Sequence, residues 1–272
     1  MGTALAERLL EHGYKVVVWN RTREKAAPLL ARGAEWSENP FTNCSRVILS
    51  LYTTEVVTEV LERMENGLRD GHLILDTTTG HPDRSAALGK RLAARGIQYL
   101  EAPISGSSEQ TRRGDATVIV GGGRDGFAAC GDLWPVIGKK VIHAGPIGSA
   151  SKMKLISNLV LGLNRAALAE GLAFAEAIGI SPRSALEVLQ ESAAYSRAMD
   201  VKGTKMIEND FSVQARLSQH LKDVRLILET ARAAAVALPL SETHRKLLEL
   251  AEACGLGALD NSAIIRVLRK TD

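Results

Sequence analysis

The sequence predicts an α/β domain followed by an all-α domain. The first 145 residues alternate short β-branched runs with helical patterns, which is typical of a doubly wound, mainly parallel sheet with helices on both faces. After Gly145 the strand signals stop and a long apolar helical pattern begins. A chain of 272 residues is also too long for one comfortable hydrophobic core. We therefore expect an α/β domain over 1–145 and a helical domain over 146–272, joined at the Gly- and Pro-containing turn His143–Gly148.

Strands are predicted at segments of the first half that are short, rich in β-branched residues and bounded by Gly, Asp, Asn or Pro. These segments are Tyr14–Asn20, Arg46–Leu51, His72–Thr77, Ile97–Ala102, Ala116–Gly121 and Lys140–Gly145. Apolar residues at helical spacing predict the intervening helices at Gly2–His12, Arg23–Arg32, Glu55–Met64 and Pro82–Arg95. Strands and helices thus alternate as a parallel sheet requires.

The second half of the chain predicts helices only. Their apolar patterns cover Gly148–Ile178, Arg183–Glu191, Leu217–Val236, Glu242–Ala253 and Ala263–Arg269. The longest pattern carries apolar residues on nearly every side. We therefore expect this helix to be buried all round.

The composition excludes several classes of function. An apolar fraction of 45% and a charged fraction of 24% are typical of a globular chain and exclude a disordered or collagen-like one. A net charge of +3, 4% aromatic residues and no basic stripe predict no nucleic-acid partner. Charges interrupt every long apolar run, so we expect no membrane partner. Cys44, Cys130 and Cys254 are too dispersed for a zinc site and suit reduced thiols, which predicts a cytoplasmic protein without a metal.

The chain opens with Met1 and Gly2 running straight into a helical pattern. A dinucleotide-binding βαβ unit starts with a strand and a G-x-G-x-x-G turn, whose glycines let the backbone approach the pyrophosphate at the helix N terminus. Gly2 is either the last glycine of such a turn or the residue after an initiator methionine.

The segment Asn20-Arg21-Thr22 ends the first predicted strand. At this place an acidic residue would bind the ribose 2′-hydroxyl of NAD, whereas an arginine accommodates the 2′-phosphate of NADP. The guanidinium of Arg21 has donors that match phosphate oxygens, and Lys25 adds charge one helical turn further on. The alternative is a solvated arginine at the end of a strand.

The dipeptide Ser105-Gly106 follows a strand whose hydrogen-bond ladder is stopped by Pro103. We expect a helix to begin at Ser105, so that backbone N–H groups and a hydroxyl can hold an anion such as a substrate carboxylate. The alternative is a plain serine N-cap.

Lys154 and Asn158 lie four residues apart and therefore on one face of the long apolar helix. A buried lysine is costly, but with an amide beside it the ammonium can donate to a carbonyl oxygen and hold a substrate. The alternative is a Lys154 that extends to solvent. The adjacent pair Lys222-Asp223 lies in another helical pattern, where such a pair is usually a solvated surface feature.

Taken in order, these motifs resemble the β-hydroxyacid dehydrogenase family, which includes 3-hydroxyisobutyrate dehydrogenase and the glyoxylate/succinic semialdehyde reductases and is similar to 6-phosphogluconate dehydrogenase. The resemblance covers essentially the whole chain. It rests on Met1-Gly2, Asn20–Thr22, Asp76–Pro82 (DTTTGHP), Glu101–Gly106 (EAPISG), Lys154 with Asn158, and Lys222-Asp223. It implies a Rossmann-type doubly wound domain followed by an all-α domain.

The resemblance implies a role for each of these positions. Lys154 is the implied catalytic residue, which donates a proton to the carbonyl oxygen during reduction. Substrate binding is implied for Ser105, Gly106, Asn158 and Asp223. Cofactor binding is implied for Gly2, Asn20, Arg21, Thr22, Leu51, Tyr52, Thr79 and Lys222.

The sequence departs from the family pattern in three places. The opening strand and the first two glycines of the turn are absent, so we expect roughly ten residues to precede Met1 in the natural protein. Without them we expect the 272-residue form to bind NADPH poorly or to be unstable. Ala215 stands where the family usually has an aromatic residue, and Ser107 stands where many members have a second glycine. The reaction is therefore better defined than the substrate.

These features predict an enzyme that transfers a hydride between NADP(H), with NAD possible, and a small 3-hydroxy acid or aldehyde acid. The candidate substrates are of the 3-hydroxyisobutyrate, tartronate semialdehyde, glyoxylate or succinic semialdehyde class. One alternative is an imine reductase on the same fold, against which Lys154 argues. Another is a catalytically silent cofactor-binding or scaffold protein, which the pair Lys154 and Asn158 opposes. The resemblance also implies a homodimer or homotetramer with a small carboxylate substrate.

Overall fold

The computed structural model describes residues 1–269, which form two compact units. The first unit is Met1–Lys154 and the second begins at Leu155. The first unit contains the strands together with short helices, and the second consists of helices joined by loops. The predicted fold class, a Rossmann-type α/β domain followed by an all-α domain, is confirmed. The predicted domain boundary after residue 145 stays a prediction.

The strands of the first unit form two sheets. They are β1 (Val17–Val18), β2 (Glu35–Trp36), β3 (Arg46–Leu49), β4 (Leu73–Asp76), β5 (Gln98–Glu101), β6 (Ile104–Ser105), β7 (Thr117–Gly121) and β8 (Lys140–Gly145). β1 and β2 form a parallel pair of their own. In the larger sheet β3, β4 and β5 are parallel, whereas β7 runs antiparallel to β5 and β6 and parallel to β8. The sequence pattern misses β2 and β6, because two residues are too few for a visible alternation.

A cleft separates the two sheets. The carbonyl groups of Val16 and Val18 accept hydrogen bonds from the backbone N–H groups of Glu35 and Ser37, at 2.9 and 3.2 Å. These backbone hydrogen bonds of β1 are therefore made with β2. Within residues 1–269 no strand joins β1 to β3, and residues of both strands line one cavity of about 950 Å³. The strand expected to precede Met1 stays a prediction.

The helices of the first unit are mostly short. They are α1 (Gly2–Glu11), α2 (Ala27–Leu30), α3 (Thr54–Arg63), α4 (Pro82–Ala93), α5 (Ser108–Arg112), α6 (Arg124–Ala129) and α7 (Trp134–Ile137). The helix predicted over Arg23–Arg32 is instead a 3₁₀ turn at Arg23–Ala26 followed by α2. Pro28 lies in the first turn of α2, where its missing N–H costs no helical hydrogen bond, so a new helix begins there.

The second unit is built from long helices around a leucine-rich core. The helices are α8 (Ser149–Ala177), which begins in the first unit, α9 (Pro182–Gln190), α10 (Arg197–Glu208), α11 (Leu217–Ala233) and α12 (Pro239–Ala253). A 3₁₀ helix at Asn261–Val267 replaces the predicted helix Ala263–Arg269. The sequence pattern misses α10. Its Gly203 interrupts the helical pattern, and a Cβ there would lie 2.6 Å from the methyl groups of Leu186, so the two helices pack closely at this point.

The prediction that α8 is buried all round is wrong. Leu168 and Leu172 are buried in the core of the second unit. Ile156, Val160 and Phe174 lie on the opposite side and are 58%, 51% and 62% exposed. Apolar spacing alone cannot tell a side that packs within the chain from a side that does not. None of the described helices is long and apolar enough to cross a membrane.

Candidate active site

The cleft of the first unit brings together most of the predicted cofactor residues. Its lining includes Gly2, Asn20, Arg21, Thr22, Leu51 and Tyr52. These residues come from the start of α1 and from the loops that follow β1 and β3. Ligands of doubly wound α/β proteins bind at the carboxyl ends of the strands, so this is the place expected for a dinucleotide. Thr79 and Lys222 are not part of the lining.

The loop after β1 presents a positive charge at the cleft. The side-chain oxygen of Asn20 accepts a hydrogen bond from the backbone N–H of Thr22 at 2.9 Å, which holds the loop in a tight turn. Arg21 and Lys25 are exposed beside this turn. Among residues 1–269 the guanidinium of Arg21 has neither a hydrogen bond nor an ion pair. Its donors are therefore available to an anionic ligand.

The start of α1 presents backbone N–H groups to the same cleft. The helix has no side-chain cap at its N terminus, so the amides of its first turn have no partner from a capping side chain. A Cβ on Gly2 would lie 3.3 Å from the Cβ of Ser50, which leaves little room for a larger residue. Together with Arg21, these amides fit the phosphates of a dinucleotide.

The turn after β4 is held rigid by buried hydrogen bonds. The Thr78 hydroxyl accepts from the backbone N–H of Leu51 at 3.1 Å, and Thr78 N–H donates to the Asp76 carboxylate at 2.9 Å. The Tyr99 hydroxyl donates to the other oxygen of Asp76 at 2.6 Å. Burial raises the pKa of Asp76, while the Thr78 and Tyr99 hydrogen bonds oppose the rise. This network holds the backbone of Leu51 against Thr78, the residue before Thr79. The sequence analysis did not identify these hydrogen bonds.

The Ser105-Gly106 segment differs from its prediction. Ser105 lies in β6, and the following helix α5 begins at Ser108. The N-cap is Ser107, whose side chain accepts from Gln110 N–H while the Gln110 side chain accepts from Ser107 N–H, a full capping box. The predicted helix start at Ser105 is therefore wrong, because a more complete cap lies two residues further on. Ser105 stays half-buried and Gly106 is exposed.

Lys154, the last residue of the first unit, is buried near the start of α8. Its exposure is 8%, whereas the neighbouring Lys152 is exposed. A lysine that extends to solvent would not be buried to this extent. The burial favours the proton-donor interpretation over the alternative of a solvated lysine.

In the second unit, the side chain of Asn158 is hydrogen-bonded to the buried carboxylate of Asp223. The Asn158 Nδ2 group donates to Oδ2 of Asp223 at 3.0 Å, and Lys222 Nζ lies 2.8 Å from Oδ1 of the same side chain. Asn158 and Asp223 are 7% and 6% exposed. The expectation of a solvated Lys222-Asp223 pair is therefore wrong for Asp223. The arrangement fixes the direction of the Asn158 amide.

A buried cluster of basic residues, Arg165, His220 and His244, lies further along the side of α8 that carries Asn158. Arg165 is 3% exposed, and burial lowers the pKa of its guanidinium to about 10, while Asp260 and Asp223 oppose the fall. The rings of His220 and His244 lie 5.2 Å apart. Burial, followed by the charge of Arg165, lowers the pKa of His244 to about 4, so this imidazole is neutral at pH 7. A single arginine in an apolar helix gives no sequence signal for such a cluster.

Gly162 makes room for the two imidazoles. A Cβ at this position would lie 2.5 Å from Nε2 of His220 and 2.8 Å from Cε1 of His244. We expect Gly162→Ala to lower the free energy of unfolding by about 1–3 kcal/mol through overpacking. Urea unfolding followed by circular dichroism measures the change.

A matched control lies on the same helix. Gly171 has no heavy atom within 4 Å of its ideal Cβ position, so Gly171→Ala is expected to be neutral or to stabilise by about 1 kcal/mol. Equal urea midpoints for the two variants would show that the imidazoles do not require a glycine at position 162.

The described residues contain no group of three His, Cys, Asp or Glu side chains that could hold a metal ion. The first unit combines a cleft edged by an exposed arginine and helix-start amides, which can hold phosphates, with a buried lysine, which can donate a proton. Fold and site together define an NAD(P)-dependent dehydrogenase or reductase.

Comparison with known protein families agrees with this class. Residues 1–145 match the family described as the NAD binding domain of 6-phosphogluconate dehydrogenase. Residues 148–268 match the family described as NAD-binding of NADP-dependent 3-hydroxyisobutyrate dehydrogenase. The chain belongs to the β-hydroxyacid dehydrogenase family, as its motifs predicted.

Individual relatives cover nearly the whole chain. The 2-(hydroxymethyl)glutarate dehydrogenase of Eubacterium barkeri is 30% identical over 98% of this chain and 91% of its own length. The chloroplastic glyoxylate/succinic semialdehyde reductase 2 of Arabidopsis thaliana is 28% identical over 99% of this chain and 77% of its own length.

Solved structures share the fold. A 3-hydroxyisobutyrate dehydrogenase from Salmonella typhimurium has a TM-score of 0.90 at 23% identity, covering 98% of this chain and 95% of its own. An imine reductase from Pseudomonas sp. has a TM-score of 0.67 at 22% identity, covering 99% and 96%. Both likenesses concern the fold, because the identities are low.

Proposed function

We propose that this protein reduces the carbonyl group of a small aldehyde acid with NADPH, or oxidises the corresponding 3-hydroxy acid with NADP. The observation that carries the proposal is the burial of Lys154 in the unit that also contains the dinucleotide cleft. Bound NADPH supplies a hydride to the carbonyl carbon. Lys154 donates a proton to the oxygen, which completes the alcohol, and the neutral amine then takes up a proton from solvent.

The other residues bind and orient the two molecules in this proposal. The amides at Gly2 and the side chains of Asn20, Arg21 and Thr22 hold the phosphates and ribose, and Leu51 and Tyr52 contact the cofactor. Thr79 and Lys222 complete the cofactor site. Ser105, Gly106 and Asn158 hold the substrate, and Asp223 orients Asn158. The hydrogen bond from Asn158 to Asp223 supports the last of these roles.

A substrate panel tests the proposal. Glyoxylate, succinic semialdehyde, tartronate semialdehyde and, in reverse, 3-hydroxyisobutyrate are assayed with NADPH and NADH by absorbance at the nicotinamide band. We expect turnover of at least one aldehyde acid, with NADPH preferred. NADPH binding without turnover of any of them would favour the catalytically silent alternative.

The imine reductase alternative is tested by a separate assay. The fold likeness to an imine reductase is the observation that keeps this alternative open. Cyclic imines are assayed under the same conditions. Turnover of an imine together with inactivity on every aldehyde acid would overturn the proposed substrate class.

We also propose that the exposed side of α8 is covered by a second copy of the chain. Ile156, Val160, Phe174 and Ile178 recur at helical spacing on this side and are each at least half exposed. Exposed apolar stripes of this kind are typical of subunit interfaces. We expect a dimer or larger assembly in sedimentation velocity.

Replacing one apolar residue of this stripe by a charge is expected to dissociate the assembly. Phe174→Glu places a carboxylate in the proposed interface, where its desolvation is unfavourable. Leu240→Glu on α12, where Leu240 is 68% exposed, is the control and is expected to leave the sedimentation coefficient unchanged. An unchanged coefficient for Phe174→Glu, or a monomeric wild type, would contradict the proposed interface.

The proposed location is the cytoplasm. Cys44, Cys130 and Cys254 are all free thiols in the structure, which supports a reducing compartment. Cell fractionation followed by immunoblotting tests the location.

A further inference from the structure

Glu101 is a buried carboxylate that connects the end of β5 to the start of α8. It is 2% exposed. Its Oε2 accepts from the backbone N–H of Gly148 at 2.6 Å, and its Oε1 accepts from the hydroxyl of Ser151 at 2.5 Å. Gly148 directly precedes α8, and Ser151 lies in its first turn. One side chain therefore holds both the entry to the helix and its first turn.

The neighbouring strand leaves space for this carboxylate. Gly121 on β7 pairs with Glu101 across the sheet. A Cβ on Gly121 would lie 2.7 Å from Oε2 of Glu101 and 3.0 Å from the backbone nitrogen of Ala150. The carboxylate and the helix start thus occupy the space that a side chain at position 121 would fill.

The residues at the two ends of this connection are those proposed for catalysis and substrate binding. Lys154 follows Ser151 by three residues and shares its side of α8. Ser105 and Gly106 follow Glu101 after Pro103. All of these residues belong to the first unit. The hydrogen bonds of Glu101 therefore link α8, which carries Lys154, to β5, the strand that precedes Ser105 and Gly106.

We propose that Glu101 is a positioning residue, which fixes the first turns of α8 so that the ammonium of Lys154 is held at the reacting carbonyl oxygen. The inference rests on the proposed function. A carboxylate suits the task because each of its two oxygens can accept a hydrogen bond from the start of the 29-residue helix. Burial and the nearby Asp76 raise the pKa of Glu101, while the hydrogen bonds from Ser151 and Gly148 lower it.

The test compares variants that remove or keep the connection. Ser151→Ala removes the hydrogen bond from the Ser151 hydroxyl but keeps the backbone N–H groups, and Glu101→Leu removes every hydrogen bond to the Glu101 side chain. Glu101→Gln keeps the connection, because its carbonyl oxygen can accept from Gly148 and its amide can donate to the Ser151 hydroxyl, which then accepts. Ser149→Ala is the matched control, since Ser149 lies in the same turn and makes no hydrogen bond to Glu101.

For each variant kcat, KM and the dissociation constant of NADPH are measured with the aldehyde acid that the wild type turns over best. We expect Ser151→Ala and Glu101→Leu to lower kcat by about tenfold to a hundredfold, because a displacement of about 1 Å near the chemistry costs on the order of 10²-fold. The NADPH dissociation constant is expected to stay unchanged. Glu101→Gln and Ser149→Ala are expected to stay close to the wild-type kcat.

The outcomes separate this inference from the proposed function. A wild type that is inactive on the whole panel overturns the proposed function and with it the role of Glu101. An active wild type with an unchanged kcat in Ser151→Ala overturns the positioning role alone. The positioning role is also overturned if kcat of Ser151→Ala and Glu101→Leu falls only in proportion to the number of NADPH sites per chain. In that case the variants contain less folded protein, and the folded part is as active as the wild type.

Discussion

Lys154→Ala is expected to lower kcat by about 10²–10⁴-fold, the range typical of a lost proton donor. The carbonyl oxygen gains negative charge as the hydride is transferred, and Lys154→Ala removes the ammonium group that would protonate it. Because Lys154 is buried, water cannot easily replace the missing group. NADPH affinity is expected to change little, since Lys154 is not part of the cofactor cleft. Steady-state kinetics and a fluorescence titration with NADPH measure the two quantities.

The neighbouring lysine provides the control. Lys152 lies on the same turn of α8 but is exposed, so Lys152→Ala removes an equal charge without touching the site. It is expected to keep wild-type kcat. A Lys154→Ala variant with near-native turnover on a good substrate would show that Lys154 is a structural residue and that the proton comes from another donor.

Arg21→Ala is expected to weaken NADPH binding by about tenfold to a hundredfold while leaving NADH binding nearly unchanged. A charge-assisted contact to the 2′-phosphate contributes roughly 1.5–3 kcal/mol, and NADH has no such phosphate. The exposed guanidinium beside the Asn20–Thr22 turn is well placed to make this contact. Isothermal titration with both cofactors measures the difference.

Arg23 serves as the matched control for Arg21. It is also exposed, but it is not part of the cleft lining and lies over the Trp36 ring and near Glu38, at 3.9 Å. Arg23→Ala is expected to leave both dissociation constants unchanged. Equal affinities of the wild type for NADPH and NADH would remove the basis for an NADP preference.

Much of the first unit could be predicted because its signals are local. Each predicted strand contains an observed one, since short β-branched runs bounded by turn residues depend little on the rest of the chain. The position of Arg21 at the end of β1 followed from that strand alone. The elements that were missed, namely β2, β6, α6, α7 and α10, are either two to four residues long or contain a glycine.

The contacts of the candidate site could not be predicted in the same way. Asp223 lies 65 residues from Asn158, and Glu101 lies 50 residues from Ser151. No pattern of neighbouring residues reports such pairs, because each depends on which segments the fold brings together. The charged residue next to Asp223 in the sequence therefore suggested a surface position, whereas tertiary packing buries the carboxylate.

The sequence by itself determined the strands of the main sheet except β6, most of the longer helices, the family and the identity of the residues that could carry the reaction. Only the tertiary structure decided that Lys154 is buried, that one side of α8 is exposed, and that a cleft between β1 and β3 brings together six of the eight predicted cofactor residues. The physical reason is that periodicity and motifs act over a few residues, whereas burial and hydrogen-bond partners are set by segments far apart in the chain.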